Sequence, residues 1–224
     1  MRLPPGRPTR TALITAAALT PPTVALLLLV ALSWAPLMTL DENIARTTHR
    51  WAVDASSATH GCRILTDWVW DPWTMRALCA VAVLWLVRCH AAWGPALWLV
   101  ATCVLGTLLQ QGLKWAVGRD RPFWTDPVDS AHYAAFPSGH ALTATVVCGL
   151  LLWLLHRYDA GRAARRTALA VATVSVVGVG LTRVWLGVHW PSDVVGGWLI
   201  GALVVALAVG AYGRWGDRGP LDRR

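Results

Sequence analysis

Three short stretches carry side chains that an apolar chain has no packing need for: "KWAVGRDRP" at 114–122, "FPSGHA" at 136–141 and "TRVWLGVHWPSD" at 182–193. They contribute the cations Lys114, Arg121 and Arg183, two histidines, His140 and His189, and one carboxylate, Asp193. Lys114 is the only lysine in a chain that otherwise uses arginine. Arginine forks match phosphate oxygens two at a time, and a lysine supplies a point charge to one oxygen. Three cations drawn from three segments suit a dianionic or trianionic phosphate.

The histidines add reactivity to that anion seat. Pro137, Ser138 and Gly139 read as a helix start, with Ser138 as N-cap and Gly139 allowing close backbone approach. A helix N-terminus offers free backbone N–H groups and the positive end of the macrodipole, so it holds anions. His140 in that first turn is either an interfacial side chain or a group offered to whatever the helix end binds. Pro191 suits the first position of a helix, which puts Asp193 in its first turn and His189 just outside it. The carboxylate can then reach back to one imidazole nitrogen and leave the other free as base or nucleophile. Taken alone, the pair fits a structural cap equally well. Two histidines and a carboxylate are also respectable ligands for zinc or iron, but three fixed cations in the same place raise the cost of adding a divalent one. The sequence therefore favours a site with no metal and no cofactor.

These residues must be positioned by a chain that is 55% hydrophobic and only 14% charged, a composition suited to lipid rather than water. Six apolar stretches approach the length of about 20 residues that crosses a bilayer: 20–40, 73–87, 91–113, 138–155, 167–188 and 191–212. The expected fold is all-α, a six-transmembrane-helix bundle in one domain over 20–212. Arg2, Arg7, Arg10, Arg88, Arg157, Arg162, Arg165, Arg166, Arg214, Arg218, Arg223 and Arg224 then fall on one side, which is 12 of the chain's 20 Lys+Arg. The positive-inside rule makes that side cytoplasmic, with both termini there: a tail over 1–19 and a disordered tail over 213–224. Arginine-heavy, lysine-poor usage fits a GC-rich bacterial genome and a bacterial cell membrane. The net charge of +8 is mostly topological, so it calls for anionic headgroups and no nucleic-acid partner. Residues 41–71 form the one sizeable outer segment, expected to lie along the membrane surface without a clean period. All three reactive stretches meet the outer face. Of the five cysteines only Cys62 is outer, which excludes an internal outer-side disulfide. Gly197 and Gly201 make a small-residue face for helix packing.

Lys114 followed after six residues by Arg121-Pro122, then Pro137-Ser138-Gly139-His140, then Arg183 with five residues to His189 and three more to Asp193, resembles the three-part signature of the phosphatidic acid phosphatase type 2 superfamily. The match runs in order from Lys114 to Asp193 and departs at Thr182, where the family usually has serine. The resemblance implies that Lys114, Arg121 and Arg183 hold the phosphate with Ser138 and the Gly139 N–H. It also implies that His189 attacks phosphorus to give a phosphohistidine, that Asp193 orients it, and that His140 protonates the leaving group and later activates water. By resemblance the substrate is a membrane lipid phosphate: phosphatidic acid, phosphatidylglycerol phosphate or a polyprenyl diphosphate. A non-catalytic lipid-phosphate binder or transporter would keep the cations, but the chain also keeps His189, His140 and Asp193. Arg119, between motif positions, is expected to matter far less than Arg121.

Overall fold

The computed structural model describes residues 7–215, all of whose regular structure is helical. Eight α-helices follow in order: α1 (Arg7–Ala31), α2 (Ala35–Asp54), α3 (Ser56–Ile64), α4 (Pro72–His90), α5 (Trp93–Val117), α6 (Gly139–Arg157), α7 (Arg162–Trp185) and α8 (Pro191–Trp215). A π-helical stretch, Leu65–Val69, links α3 to α4. Six helical stretches are long and apolar enough to cross a membrane, and they agree in number with the six expected spans. Large apolar side chains such as Val104, Leu105 and Leu108 point outward, as they should where lipid is the solvent.

α6 is the central helix, packed by α4, α5, α7 and α8. Leu142, Val146, Val147, Leu150 and Leu154 make it the spine of the core. Lipid gives apolar helices no hydrophobic drive to associate, so close backbone approach has to supply the contact. Gly197 and Gly201 do this for α8 against α6: a Cβ at Gly197 would sit 2.8 Å from the Ser138 carbonyl, and one at Gly201 2.9 Å from Thr145 Cβ. The same approach lets the Ser138 N–H donate to the Asp193 carbonyl at 2.9 Å, joining the start of α6 to the start of α8.

Two expectations about the first 71 residues are corrected. The first span does not run over 20–40 behind a tail over 1–19; its helix starts at Arg7 and stops at Ala31. Pro21 and Pro22 lie inside α1, and the Thr20 and Thr23 hydroxyls on either side donate to the Ala16 and Leu19 carbonyls. Ser33 at φ 49 and the Trp34 N–H donating to Leu29 O then end the helix in a left-handed turn. Residues 41–71 are not irregular but helical, through α2, α3 and the π stretch. The buried stripe of α2 is Asp41, Ala45, His49 and Ala52, a helical period that hydropathy conceals because two of its four members are polar. At the other end α8 continues to Trp215, and the rest of the tail over 213–224 lies outside the described residues, as do Arg2, Arg218, Arg223 and Arg224.

Candidate active site

Each of the three stretches folds as a helix end with its adjoining turn, and all converge at one end of the bundle. Lys114 is in the last turn of α5, which Gly118 closes with φ 59. Arg183 is in the last turn of α7, and His189 lies in the tight turn between α7 and α8. Asp193 is in the first turn of α8 and Ser138 is the N-cap residue of α6. Lys114, Ser138, Arg183, His189 and Asp193 are all buried. His140 is half-buried in the first turn of α6, where the charges of Arg183, Arg121 and Lys114 act on it.

The surroundings of His189 determine which nitrogen carries its proton. Asp193 Oδ2 lies 3.3 Å from Nδ1, and Arg121 Nη1 lies 3.2 Å from Nε2. A guanidinium can only donate, so Nε2 is the accepting nitrogen and Nδ1–H faces the carboxylate. Burial, then Arg121, Arg183 and Lys114, hold the His189 pKa well below the ordinary histidine value, which keeps the ring neutral. The result is a neutral ring whose Nε2 lone pair accepts from Arg121 and feels the positive charge of Arg183 and Lys114. Arg121 itself is pushed down to about 10, first by burial and next by Arg183, and so stays charged at neutral pH. Its fork is braced by carbonyls: Nε donates to Tyr133 O at 2.8 Å, Nη2 to His132 O at 3.1 Å and Nη1 to Val188 O.

Around that lone pair stand polar groups that the protein does not satisfy. Ser138 occupies the N-cap position, but its hydroxyl makes no capping bond, which corrects the expectation of a side-chain cap. Ser138 Oγ and Arg183 Nε are buried without a hydrogen-bond partner. Buried polar groups are ordinarily paired, so these two orphans, one at the start of α6 and one at the end of α7, have bonding capacity to offer a ligand; His49 Nδ1 is a third such atom. Lys114 Nζ donates to Ala134 O, and Arg183 Nη1 lies 3.7 Å from Asp129 Oδ2 in the loop between α5 and α6. Gly139 packs closely on Gln110: a Cβ there would meet Gln110 Nε2 at 2.8 Å and push that amide aside. Thr182 directs its hydroxyl to Val179 O at 2.9 Å, away from the site, so its replacement of the family's serine costs the site no donor.

The loop is pinned to α2 and to the His189 turn. Trp124 stacks on His49 with ring centroids 4.0 Å apart and donates Nε1–H to Gly187 O at 2.8 Å. His49 Nε2 also meets Asp126 Oδ1 at 3.1 Å, and that hydrogen bond lowers the Asp126 pKa.

Sequence reasoning missed Arg119, Ser192 and Asp41. Arg119 Nη1 donates to Ser192 Oγ and to Asp193 Oδ1, both at 2.7 Å, and Nη2 donates to Asp41 Oδ2 at 2.7 Å. Arg119, expected to matter far less than Arg121, bridges two buried carboxylates and is not a spacer. Arg119 does share one legible sign with the recognised cations, since it too violates the positive-inside bias. Asp41 carries no local sign, because its contact with Ser192 spans 151 residues.

A model of the PAP2 superfamily matches residues 95–217, which include every recognised motif position. The chain belongs to the PAP2 superfamily. It is 34% identical over 115 residues to phosphatidylglycerophosphatase B of Bacillus subtilis (strain 168), a match covering 50% of this chain and 56% of that protein. It is 34% identical over 151 residues to a lipid A 1-phosphatase of Rhizobium etli, covering 60% of each. It is 31% identical over 117 residues to an undecaprenyl-diphosphatase of Sulfolobus acidocaldarius, covering 50% of this chain and 52% of that protein. The chain thus spans about half to three fifths of the length of these relatives. The crystal structure of a transmembrane PAP2-type phosphatidylglycerolphosphate phosphatase from Bacillus subtilis shares the fold, with a TM-score of 0.69 over 86% of this chain and 96% of that one at 23% identity.

Proposed function

We propose that this PAP2 protein is an integral-membrane lipid phosphatase that hydrolyses a phosphomonoester or diphosphate head group through a phosphohistidine intermediate, without a metal. The observation that carries this reading is the unprotonated Nε2 of His189, met by Arg121 while Nδ1 faces Asp193, together with the unpartnered Ser138 Oγ and Arg183 Nε. In the first step the Nε2 lone pair forms a bond to phosphorus as the bond from phosphorus to the leaving oxygen breaks. Protonated His140 gives its proton to that oxygen, and Asp193 stabilises the positive imidazole ring. A dianionic phosphate offsets the surrounding cations, which favours the protonated form of His140. In the second step neutral His140 takes a proton from water, the resulting oxygen bonds to phosphorus, and the P–N bond breaks to release inorganic phosphate. Lys114, Arg121, Arg183, Ser138 and the start of α6 stabilise charge on the transferring phosphoryl.

The distribution of arginines supports an extracytoplasmic site with both termini cytoplasmic. Arg88, Arg157, Arg162, Arg165 and Arg166 lie on or between helices at the end opposite His189. A seat at that depth, walled by apolar helices, admits a head group from a lipid moving sideways in the bilayer. Phosphatidic acid, phosphatidylglycerol phosphate and polyprenyl diphosphate all present the required group.

The test is inorganic phosphate release from a panel of these lipids by detergent-purified protein with EDTA present, beside His189→Ala. Release by the wild type and a loss of about 10⁴-fold or more in the variant is expected, with an acid-labile phosphoenzyme trapped only in the wild type. A variant that keeps most activity removes His189 from the nucleophile role. Binding of phosphate lipids with no release by the wild type favours a binding or transport protein.

A further inference from the structure

The carboxylate that orients His189 is itself held from a part of the chain outside the family match. Asp193 uses Oδ2 toward His189 Nδ1 and the Trp190 N–H, the latter at 2.9 Å, which leaves Oδ1 to accept Arg119. Arg119 is gripped in turn: its Nη2 donates to Asp41 Oδ2 and approaches Met38 Sδ at 3.3 Å, and its guanidinium lies 5.5 Å from the Trp190 ring centre. Asp41 completes the circuit by accepting the Ser192 N–H on Oδ1 at 2.9 Å and the Ser192 hydroxyl on Oδ2. The side chains of Asp41, Asp193 and Arg119 are 2%, 0% and 10% exposed, so the whole circuit is shielded from water.

Neutralising Asp193 requires only Arg119. A second buried carboxylate on the same guanidinium adds desolvation cost, so its presence needs a reason. Geometry and charge both supply one. Asp41 anchors the far edge of the guanidinium plane, which leaves the near edge a single orientation against Asp193. It also shares the positive charge of Arg119, so Asp193 keeps more of its negative charge for the ring it faces. A ring that becomes positive on phosphorylation gains from that residual charge, and the gain is larger in a low-dielectric site.

We propose that Asp41 and Arg119 are positioning residues of the reaction: Asp41 holds Arg119, Arg119 fixes Asp193 Oδ1, and Asp193 thereby presents Oδ2 to His189. The inference rests on the reading of His189 as nucleophile. It gives α2, which lies outside the matched residues 95–217, a function in catalysis.

Asp41→Asn and Arg119→Lys test it, with Arg119→Gln and the double variant Asp41→Asn/Arg119→Gln as controls of folding. Four quantities are measured: kcat and KM for phosphate release, the inhibition constant for orthovanadate as a phosphate mimic, and the unfolding midpoint. Asp41→Asn is expected to lower kcat about 10- to 100-fold, the scale of a misaligned reacting group. KM and the vanadate constant should stay within about threefold, because Lys114, Arg121, Arg183 and Ser138 are untouched. Arg119→Lys keeps the charge but loses the two-sided fork, and should lose kcat to a similar extent. Arg119→Gln leaves two buried carboxylates facing each other and should lower the midpoint. Adding Asp41→Asn removes the surplus charge and should restore the midpoint while kcat stays low.

Wild-type kcat in Asp41→Asn overturns the proposal. So does a parallel collapse of kcat, vanadate affinity and midpoint, which would make the circuit a scaffold only, and so does recovery of kcat in the double variant. The nucleophile reading fails separately, through activity retained by His189→Ala in the same assay.

Discussion

Ser138 and Ser192 occupy comparable places, each at the start of a helix and each buried, yet their hydroxyls live in opposite circumstances. Ser192 Oγ accepts from Arg119 and donates to Asp41, and every polar atom described in its circuit has a partner. Ser138 Oγ has none, and nearby Arg183 Nε has none. The two clusters meet at Asp193 and His189. The first is a finished structure whose cost of burial is met inside the protein. The second leaves that cost unmet within the protein, as the proposed phosphate seat requires, and this is how a binding seat differs physically from a buried network.

The largest contrast should come from the two arginines of the α5–α6 loop. Arg119→Ala strands Asp41 and Asp193 and is expected to destabilise the fold by about 3–5 kcal/mol, measured by thermal or denaturant unfolding in detergent. Arg121→Ala should leave stability closer to wild type and cut phosphate release by about 10²- to 10³-fold. Equal unfolding midpoints for the two variants would erase the distinction between the clusters.

The serines sharpen it. Ser192→Ala should cost about 1–3 kcal/mol of stability, because Asp41 and Arg119 each lose a partner. Ser138→Ala removes an orphan hydroxyl and should leave the midpoint unchanged, or raise it slightly, while phosphate release falls about 10-fold or more. A midpoint that drops for Ser138→Ala would mean its hydroxyl is bonded within the resting protein.

Protons give a smaller signal. Because the His189 pKa is held well below its ordinary value, the folded ring stays neutral where the unfolded one binds a proton. Its contribution is therefore flat above about pH 6.5, and stability falls as pH drops below that point. His189→Ala should flatten this decline by up to about 1.4 kcal/mol per pH unit, read from unfolding midpoints between neutral and acidic pH. An unchanged slope would mean that His189 does not carry the shift. Smallest of all, Asp129→Asn frees Arg183 from a carboxylate 3.7 Å away. It should tighten orthovanadate inhibition about threefold, and weaker inhibition would show Asp129 to be holding Arg183 in place instead.

How far the site was legible follows from these same residues. The spacing of Lys114, Arg121, Ser138, His140, Arg183, His189 and Asp193 could be read directly, because a helix end and its adjoining turn keep functional groups a few residues apart. Asp41 could not be read, since nothing in its neighbourhood distinguishes a carboxylate that will be buried from one that will be solvated. The α2 stripe stayed hidden for the same reason: Asp41 and His49 look like surface residues until partners 151 and 77 positions away are in place.

The sequence by itself determined the membrane class, the number of candidate spans and the motif positions that place the chain in its family. Hydropathy, arginine placement and motif spacing are all properties of short stretches. Only the tertiary structure decided which nitrogen of His189 faces the carboxylate, which serine hydroxyl lacks a partner and which arginine bridges two buried carboxylates. Those outcomes depend on distances between residues far apart in the chain, and in a buried site the presence or absence of one partner within about 3 Å separates a satisfied group from one that awaits a ligand.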